Sequence, residues 1–255
     1  MQLKNISIKL LKKIYKFFLE KSVYSAKDED KLLLDFFSTC SSGTFCDIGA
    51  NMPDSSVCLP FLKMGWIGIA VDPIPSNAKS LSKAGFDVFC GAVTSSSMAL
   101  KGKTSFFLAG GESGRKSSLD SEKIDPNLKQ TEINVNLITL AKLFDMFSIN
   151  KLDLLSIDVE GHEADVLDTL QKDFDCKLIL IEDWARDRKI DLILNEKGYK
   201  RVRRTGYNSW YVKNNTDFNV SIFGKFHLIA KLNWFSSVRR LRFLRKKSLA
   251  QNKIT

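Results

Sequence analysis

The segment Phe45-Cys46-Asp47-Ile48-Gly49-Ala50-Asn51 has the form of a short buried strand that runs directly into a glycine turn. A glycine in this place lets the backbone approach a ligand closely, and the start of the next helix offers N–H groups to it. The carboxylate of Asp47 would repel a pyrophosphate, so the turn favours a ligand with a cationic or hydroxyl-rich part, such as an amino-acid moiety. A tight turn that binds nothing is the alternative that these residues leave open.

Short apolar runs and helical stretches alternate after this turn. The predicted strands are 44–47, 66–71, 87–93, 132–137, 153–157, 177–182, 199–204 and 209–213, and the predicted helices are 55–64, 75–84, 139–147, 162–171 and 187–197. This alternation predicts βαβ units and a mainly parallel sheet with helices on both faces. The turn-like Thr205-Gly206-Tyr207-Asn208 predicts that the sheet ends in an antiparallel pair.

Two segments depart from the alternation. Residues 98–109 predict a hairpin that turns at Lys101-Gly102-Lys103. Residues 110–131 are rich in Gly, Ser and Lys, and a loop of this length is typical of a functional lid or of disorder. Its polar side chains include Arg115, Lys116, Ser117 and Ser118. They could close over an acceptor, or the loop could simply be exposed to solvent.

A second carboxylate ends the next predicted strand. The run Trp66–Val71 leads into Asp72, twenty-five positions after Asp47, and Pro73 and Pro75 stop the strand there. A carboxylate at the tip of a second strand can accept two ribose hydroxyls. Helix capping or turn formation is the alternative role for Asp72.

Several motifs that would indicate other functions are missing from the sequence. It has neither G-x-G-x-x-G nor a phosphate-binding G-x-x-x-x-G-K-[ST], so a nicotinamide-dependent or P-loop function loses most of its support. The five cysteines are odd in number and contain no C-x-x-C, which predicts reduced, buried thiols and no zinc site.

The net charge of +10 is unevenly distributed along the 255 residues. Residues 1–22 carry +5 and residues 225–255 carry +9, which leaves −4 for residues 23–224. This separation argues against a nucleic-acid-binding core and makes the two basic arms candidates for contact with an anionic surface. A hydrophobic fraction of 44% excludes a disordered chain, and no apolar run is long enough for a membrane-spanning helix.

Both arms have helical periodicity. Residues 1–22 predict an amphipathic helix whose lysines interrupt any signal-peptide core, so secretion is not expected. Residues 234–249 predict a basic amphipathic helix suited to an anionic membrane surface, or alternatively one that packs on the domain. The predicted organisation is an N-terminal extension over 1–43, a central domain over 44–213 and a C-terminal extension over 214–255.

Three blocks of the sequence resemble the FkbM-type S-adenosylmethionine-dependent methyltransferases. They are Asp47–Asn51, Gly65–Pro73 and Leu155–Glu163, and the resemblance covers roughly residues 44–213. It extends to Ser117-Ser118-Leu119, Val135–Leu140, Gly198-Tyr199 and Asn208. It implies an α/β class I methyltransferase, Rossmann-like fold: a mainly parallel seven-stranded sheet with an antiparallel last strand and helices on both faces.

The resemblance also implies a site for S-adenosyl-L-methionine. Gly49, Ala50 and Asn51 would surround its methionine part with Asp47 nearby, and Asp72 followed by Pro73 would hold the ribose. The segment Cys90–Val93 would lie against the adenine through Gly91 and Ala92. Pro53 stands where many family members have a second glycine, and proline is tolerated at a first helical position.

The block Asp158-Val159-Glu160-Gly161-His162-Glu163 is the predicted reacting centre. It follows an apolar strand, so its side chains should emerge at the same sheet edge as Asp47 and Asp72. Methyl transfer to a hydroxyl needs a positioned acceptor and a base, and Asp158, Glu160 and His162 are the available bases. His162 could instead begin a helix, Glu163 is expected to cap it, and nothing in the spacing demands a metal.

The resemblance, taken with these residues, implies an S-adenosylmethionine-dependent O-methyltransferase. FkbM-like enzymes often accompany polysaccharide or glycolipid synthesis, so the preferred acceptor is a sugar hydroxyl, with the protein cytoplasmic and its basic arms at the inner membrane face. A polyketide hydroxyl or a nitrogen is an alternative acceptor. A non-catalytic protein of the same fold, tethered to a membrane or partner by its arms, is the alternative from another class.

Overall fold

A seven-stranded sheet forms the centre of the protein, which the computed structural model describes over residues 29–109, 114, 117–124, 127–183, 188–220, 222–233 and 241. The strands are β1 (Thr44–Ile48), β2 (Ile67–Asp72), β3 (Asp87–Cys90), β4 (Ala92–Val93), β5 (Lys103–Leu108), β6 (Thr131–Ile138), β7 (Lys151–Ile157), β8 (Asp175–Glu182), β9 (Tyr199–Thr205) and β10 (Asn208–Lys213). The helices are α1 (Glu29–Phe36), α2 (Leu59–Lys63), α3 (Pro75–Lys83), α4 (Ser96–Ala99), α5 (Leu140–Met146), α6 (Glu163–Asp168), α7 (Lys189–Glu196) and α8 (Ile222–Asn233).

The strand order of the central sheet is β3-β2-β1-β7-β8-β10-β9. The first five strands in this order are parallel, and β10 runs antiparallel between β8 and β9. The predicted α/β architecture with seven strands and an antiparallel last strand is therefore confirmed. The strand order reverses at β1, and the carboxyl ends of β1, β2 and β7 meet there, where open α/β sheets bind their ligands.

Both faces of this sheet are buried, as the apolar runs in the strands predict. Alternate side chains of β1 point to opposite faces, so Cys46 packs in one apolar cluster with Leu155 while Phe45 packs in the other with Leu154. All five cysteines are free thiols, and Cys46, Cys58 and Cys176 are buried. Cys40 is half-buried and Cys90 is exposed, so the prediction of buried thiols is wrong for these two.

Helix α1 joins the core ahead of the predicted domain boundary at residue 44. Leu33 and Phe37 are buried, and the Phe37 ring makes edge-to-face contacts with Phe61 and Trp66. Residues before β1 therefore contribute to the hydrophobic core of the domain.

A second sheet of three strands, in the order β4-β6-β5, lies beside the first. The predicted hairpin over 98–109 is wrong: residues 96–99 form α4, and β5 pairs antiparallel with β6 instead. Gly102, with φ of 70°, turns the chain from this helix into β5. The predicted strand 87–93 is divided at Gly91, so that β3 belongs to the central sheet and β4 to the second one.

The predicted helix 55–64 is also shorter than expected. A 3-10 helix, Pro53–Ser55, precedes α2, and the backbone at Ser56 is extended between them. The hydroxyl of Ser56 donates to Asp47 at 2.5 Å, which holds the chain outside a continuous helix.

Some predictions fall outside the described residues. These are the helix over 1–22, the helix over 234–249 apart from Leu241, and the lid residues Arg115 and Lys116. Among the residues that are described, no helix is both long and apolar enough to cross a membrane.

Candidate functional site

A cleft of about 550 Å³ opens at the carboxyl ends of β1, β2 and β7. Ten of the eleven residues predicted for the cofactor and the reacting centre line it. They are Gly49, Ala50, Asn51, Asp72, Pro73, Gly91, Ala92, Asp158, Glu160 and His162. The sequence blocks that lie far apart along the chain thus form one wall.

The turn after β1 closes tightly on its neighbours. Gly49 has a φ of 84°, and a Cβ atom there would overlap the carbonyl oxygen of Asp158. The N–H groups of Gly49 and Ala50 donate to the carbonyl oxygen of Val71 at 2.9 and 3.1 Å. The position therefore requires glycine for both its backbone angle and its space.

The carboxylate of Asp72 joins the turns that follow β1 and β2. Its oxygens accept 2.9 Å hydrogen bonds from the N–H groups of Asn51 and Ile74. Burial raises the pKa of Asp72 to about 6, against the opposing effect of these backbone bonds. The turn-forming role that the sequence suggested for Asp72 is confirmed. Asp72 also lines the cleft, and its contact with a ribose stays a prediction.

Asp47 lies behind the glycine turn rather than in the main cleft. It lines a smaller adjoining cavity of about 50 Å³, together with Ser156, Asp158 and Glu182. Burial raises its pKa, and hydrogen bonds from the hydroxyls of Ser56 and Ser156 oppose this shift. Asp47 therefore packs behind the glycine turn and does not line the main cleft.

Three carboxylates meet where β7 and β8 end. Oxygen atoms of Asp158, Glu163 and Glu182 lie within 4.8 Å of one another. Asp158 opens on the cleft, but the protein surrounds most of it, and this burial, followed by repulsion from Glu160, Glu163 and Asp47, raises its pKa to about 7. The pKa of Asp158 thus lies near neutral pH, where the carboxylate can both accept and release a proton.

Glu163 stands at the start of α6, and its side chain binds the loop that precedes the helix. Its Oε1 accepts hydrogen bonds from the N–H groups of Gly161 at 2.8 Å and Val159 at 3.3 Å. These bonds fix the loop in which Glu160 and Gly161 have φ of 52° and 102°. The loop presents Glu160 and His162 to the cleft.

His162 precedes α6 without capping it through its side chain. Its Nδ1 lies 3.1 Å from Oδ2 of Asp165, one turn further along the helix. The side chain is 12% exposed, and it borders the cleft. The carboxylate of Asp165 thus fixes the orientation of the imidazole.

The family model for the methyltransferase FkbM domain matches residues 47–201, which is more than half of the chain. The protein belongs to the FkbM methyltransferase family. The match extends from β1 to β9 and includes all the predicted site residues, so the protein is an enzyme of the methyltransferase class. No match was found among curated proteins.

Part of the predicted lid reaches the cleft of this FkbM methyltransferase. Gly114, Ser117 and Leu119 are among the residues that line it. The Ser117 hydroxyl accepts a 2.9 Å hydrogen bond from the N–H of Ala109, and the backbones of Ser118 and Phe107 form a bridge. These contacts attach the segment to β5.

Sequence analysis missed several residues of the site. Glu182 ends a correctly predicted strand at the same sheet edge as Asp158, so the rule that identified Asp47 and Asp72 could have identified it as well. Phe106 lines the cleft from β5, and it was missed because the strand was paired with the wrong partner. Asp54 and Ser55 follow the glycine turn and carried no separate signal.

Proposed function

We propose that this enzyme transfers the methyl group of S-adenosylmethionine to a hydroxyl of a sugar, or of a glycolipid or polysaccharide precursor. The observation that carries the proposal is the meeting of the Gly49 turn with the carboxylates of Asp72 and Asp158 at one cleft. Its volume, about 550 Å³, lies in the usual range for small-molecule and cofactor sites.

The charge of the cleft supports a cationic cofactor. Asp158, Glu163 and Glu182 form a partly buried acidic group beside the glycine turn, with Asp47 behind it. S-adenosylmethionine carries a sulfonium and an ammonium group, and opposite charges stabilise each other strongly where water is largely excluded. Asp72 at the neighbouring strand end is suited to the ribose hydroxyls.

The reaction needs a base beside the acceptor hydroxyl. Bound S-adenosylmethionine would supply the methyl group: the acceptor oxygen would bond to the methyl carbon as the carbon–sulfur bond breaks to leave a neutral thioether, and the hydroxyl proton would pass to the enzyme. Asp158, whose pKa is about 7, is suited to accept that proton near neutral pH. His162, oriented by Asp165, borders the same cleft as a second proton acceptor.

The lining of the cleft combines apolar and polar groups, as a sugar requires. Phe106 and Leu119 offer apolar surface, and Asp158 and Glu160 offer carboxylates. Sugars have apolar ring faces that can pack against such side chains and hydroxyls that can donate hydrogen bonds to carboxylates.

The test is methyl transfer from isotopically labelled S-adenosylmethionine to a panel of sugars, lipid-linked sugars and amines. We expect product with hydroxyl acceptors, and a loss of turnover of about 100-fold or more in Asp158→Asn, the usual size of a general-base contribution. Asp145→Asn, on an exposed part of α5, is the matched control and should leave turnover unchanged. Transfer to amines but to no hydroxyl would contradict the proposal.

A further inference from the structure

Helix α8 carries a row of large apolar side chains that face solvent. Ile222, Phe226 and Ile229 are 83%, 51% and 56% exposed. Residues spaced by four and three positions lie on one face of a helix. We call these three residues the α8 stripe.

Two neighbouring residues of α8 attach the helix to the domain. Leu228 and Ala230 are buried, and the carbonyl oxygen of Leu228 accepts a 3.0 Å hydrogen bond from Nη2 of Arg201 on β9. Because Arg201 is itself almost fully buried, this bond holds the helix in one orientation. The α8 stripe therefore faces solvent on a helix that is attached to the domain.

Positive charge surrounds the α8 stripe in the sequence. Lys225 lies three positions after Ile222 and four before Ile229, so it is on the same side of the helix, and it is exposed. Residues 225–255 contain nine lysines and arginines and no acidic residue, whereas residues 23–224 have a net charge of −4. A surface that receives the α8 stripe therefore also meets Lys225, and the chain that continues from α8 is strongly basic in sequence.

We propose that the α8 stripe inserts into the surface of an anionic lipid bilayer. A bilayer interface accepts a helix lying in its plane with apolar side chains buried by about 5–10 Å, and anionic head groups attract nearby lysine and arginine. The inference goes beyond methyl transfer and does not depend on it.

Two other occupants fit the α8 stripe less well. A nucleic acid would be attracted by the basic charge, but its charged phosphate backbone would not bury the exposed apolar side chains of Ile222, Phe226 and Ile229. A second protein molecule in a stable complex would cover roughly 800 Å² on each partner. Three side chains of one helix supply far less than that.

The test is co-sedimentation of the full-length protein with vesicles. We expect it to bind vesicles of phosphatidylcholine mixed with phosphatidylglycerol and to bind vesicles of phosphatidylcholine alone much more weakly. The triple variant Ile222→Gln, Phe226→Gln, Ile229→Gln should lose about 100-fold or more in affinity, since burying one such side chain contributes about tenfold. The matched control is Ile67→Gln, Leu100→Gln, Leu192→Gln, which alters three exposed apolar residues elsewhere and should bind as the wild type does.

A second measurement keeps the test independent of the stability of the triple variant. The tryptophan fluorescence of Phe226→Trp, less that of the wild type, should shift to shorter wavelength with anionic vesicles, and brominated lipids should quench it. Absence of binding by the wild type, equal binding by the triple variant, or an unshifted difference signal from Phe226→Trp would each overturn the proposal. So would light scattering that shows a wild-type dimer and a monomeric triple variant, because a second copy would then cover the α8 stripe.

Discussion

Gly49 is the residue at which the geometry of the site is most tightly constrained. Its positive φ and the Asp158 carbonyl above it both exclude a side chain. Gly65 provides a control, because it has almost the same φ, 87°, and a Cβ atom added there would have no other atom within 4 Å. Substitution of Gly65 therefore measures the destabilisation from the positive φ alone, and substitution of Gly49 adds the clash with the Asp158 carbonyl.

We expect Gly49→Ala to abolish cofactor binding and to destabilise the protein by more than Gly65→Ala does. Gly65→Ala should cost about 1 kcal/mol, the usual effect of a positive φ alone, and should leave cofactor affinity unchanged. Urea unfolding gives the stabilities, and calorimetry gives the affinities. Equal destabilisation by the two substitutions would show that the turn does not approach Asp158 as closely as described.

The raised pKa of Asp158 predicts a pH dependence of cofactor affinity. Its pKa is about 7, and a cationic ligand binds the ionised carboxylate. The affinity for S-adenosylmethionine should therefore rise as the pH rises through about 7, and at lower pH binding should release protons. Asp158→Asn should flatten this profile, whereas Asp145→Asn should preserve it. The check is calorimetry in buffers of different ionisation enthalpy, and a wild-type affinity that is constant from about pH 6 to about pH 8 would contradict the assignment.

At the level of elements, α1 is attached to the β9–β10 hairpin by one buried carboxylate. Glu29 is 3% exposed, and it accepts hydrogen bonds from Thr205, from Asn208 at 2.6 Å and from Trp210 at 3.4 Å. All three partners act as donors towards it. Because Asn208 also lines the smaller cavity, this attachment lies close to the site.

We expect Glu29→Gln to destabilise the protein by about 1–3 kcal/mol, because an amide group would turn a donor towards these donors and leave one of them unpaired. Asp30→Asn, at the exposed neighbouring position, should change stability little. The measurement is the free energy of unfolding from urea titration. A Glu29→Gln variant as stable as Asp30→Asn would exclude this role.

The elements predicted from sequence are those whose signal is local. The glycine turn at Asp47–Asn51, the proline-terminated β2 and the apolar β7 each carry their own pattern, and most of the cleft follows from them. The pairing of β5 with β6 and the attachment of Glu29 to Thr205 join residues far apart in sequence, so no local pattern indicates them. Helix α8 was missed because its own sequence is apolar on most faces, so the 3.6-residue alternation of apolar and polar residues is weak.

At the level of the whole molecule, five buried carboxylates share one direction of pKa shift. Burial raises the pKa of Glu29, Asp47, Asp72, Asp158 and Glu163. In the unfolded chain these groups titrate near about 4, so their contribution to stability is complete below that pH. It is lost as pH rises through the folded pKa values, about 6 for Asp72 and about 7 for Asp158.

The unfolding midpoint of the cofactor-free protein should therefore depend on Asp158 between about pH 4 and about pH 7, its pKa values in the unfolded and folded protein. At the upper end Asp158→Asn should unfold at a higher temperature than the wild type, because it removes a partly buried charge from an acidic group. The difference should shrink as the pH falls. Thermal scans across this range provide the check, and a variant that is less stable than the wild type at every pH would contradict this reasoning.

The central claim is that the cleft binds S-adenosylmethionine, and titration calorimetry with S-adenosylhomocysteine tests it most directly. The account predicts micromolar binding by the wild type, weakened by about 1–3 kcal/mol in Asp72→Ala, the usual cost of leaving polar partners unpaired. Asp87→Ala, at the exposed start of β3, should bind as the wild type does. A folded wild-type protein that binds no S-adenosylhomocysteine, or one whose affinity is the same in Asp72→Ala, would contradict the account.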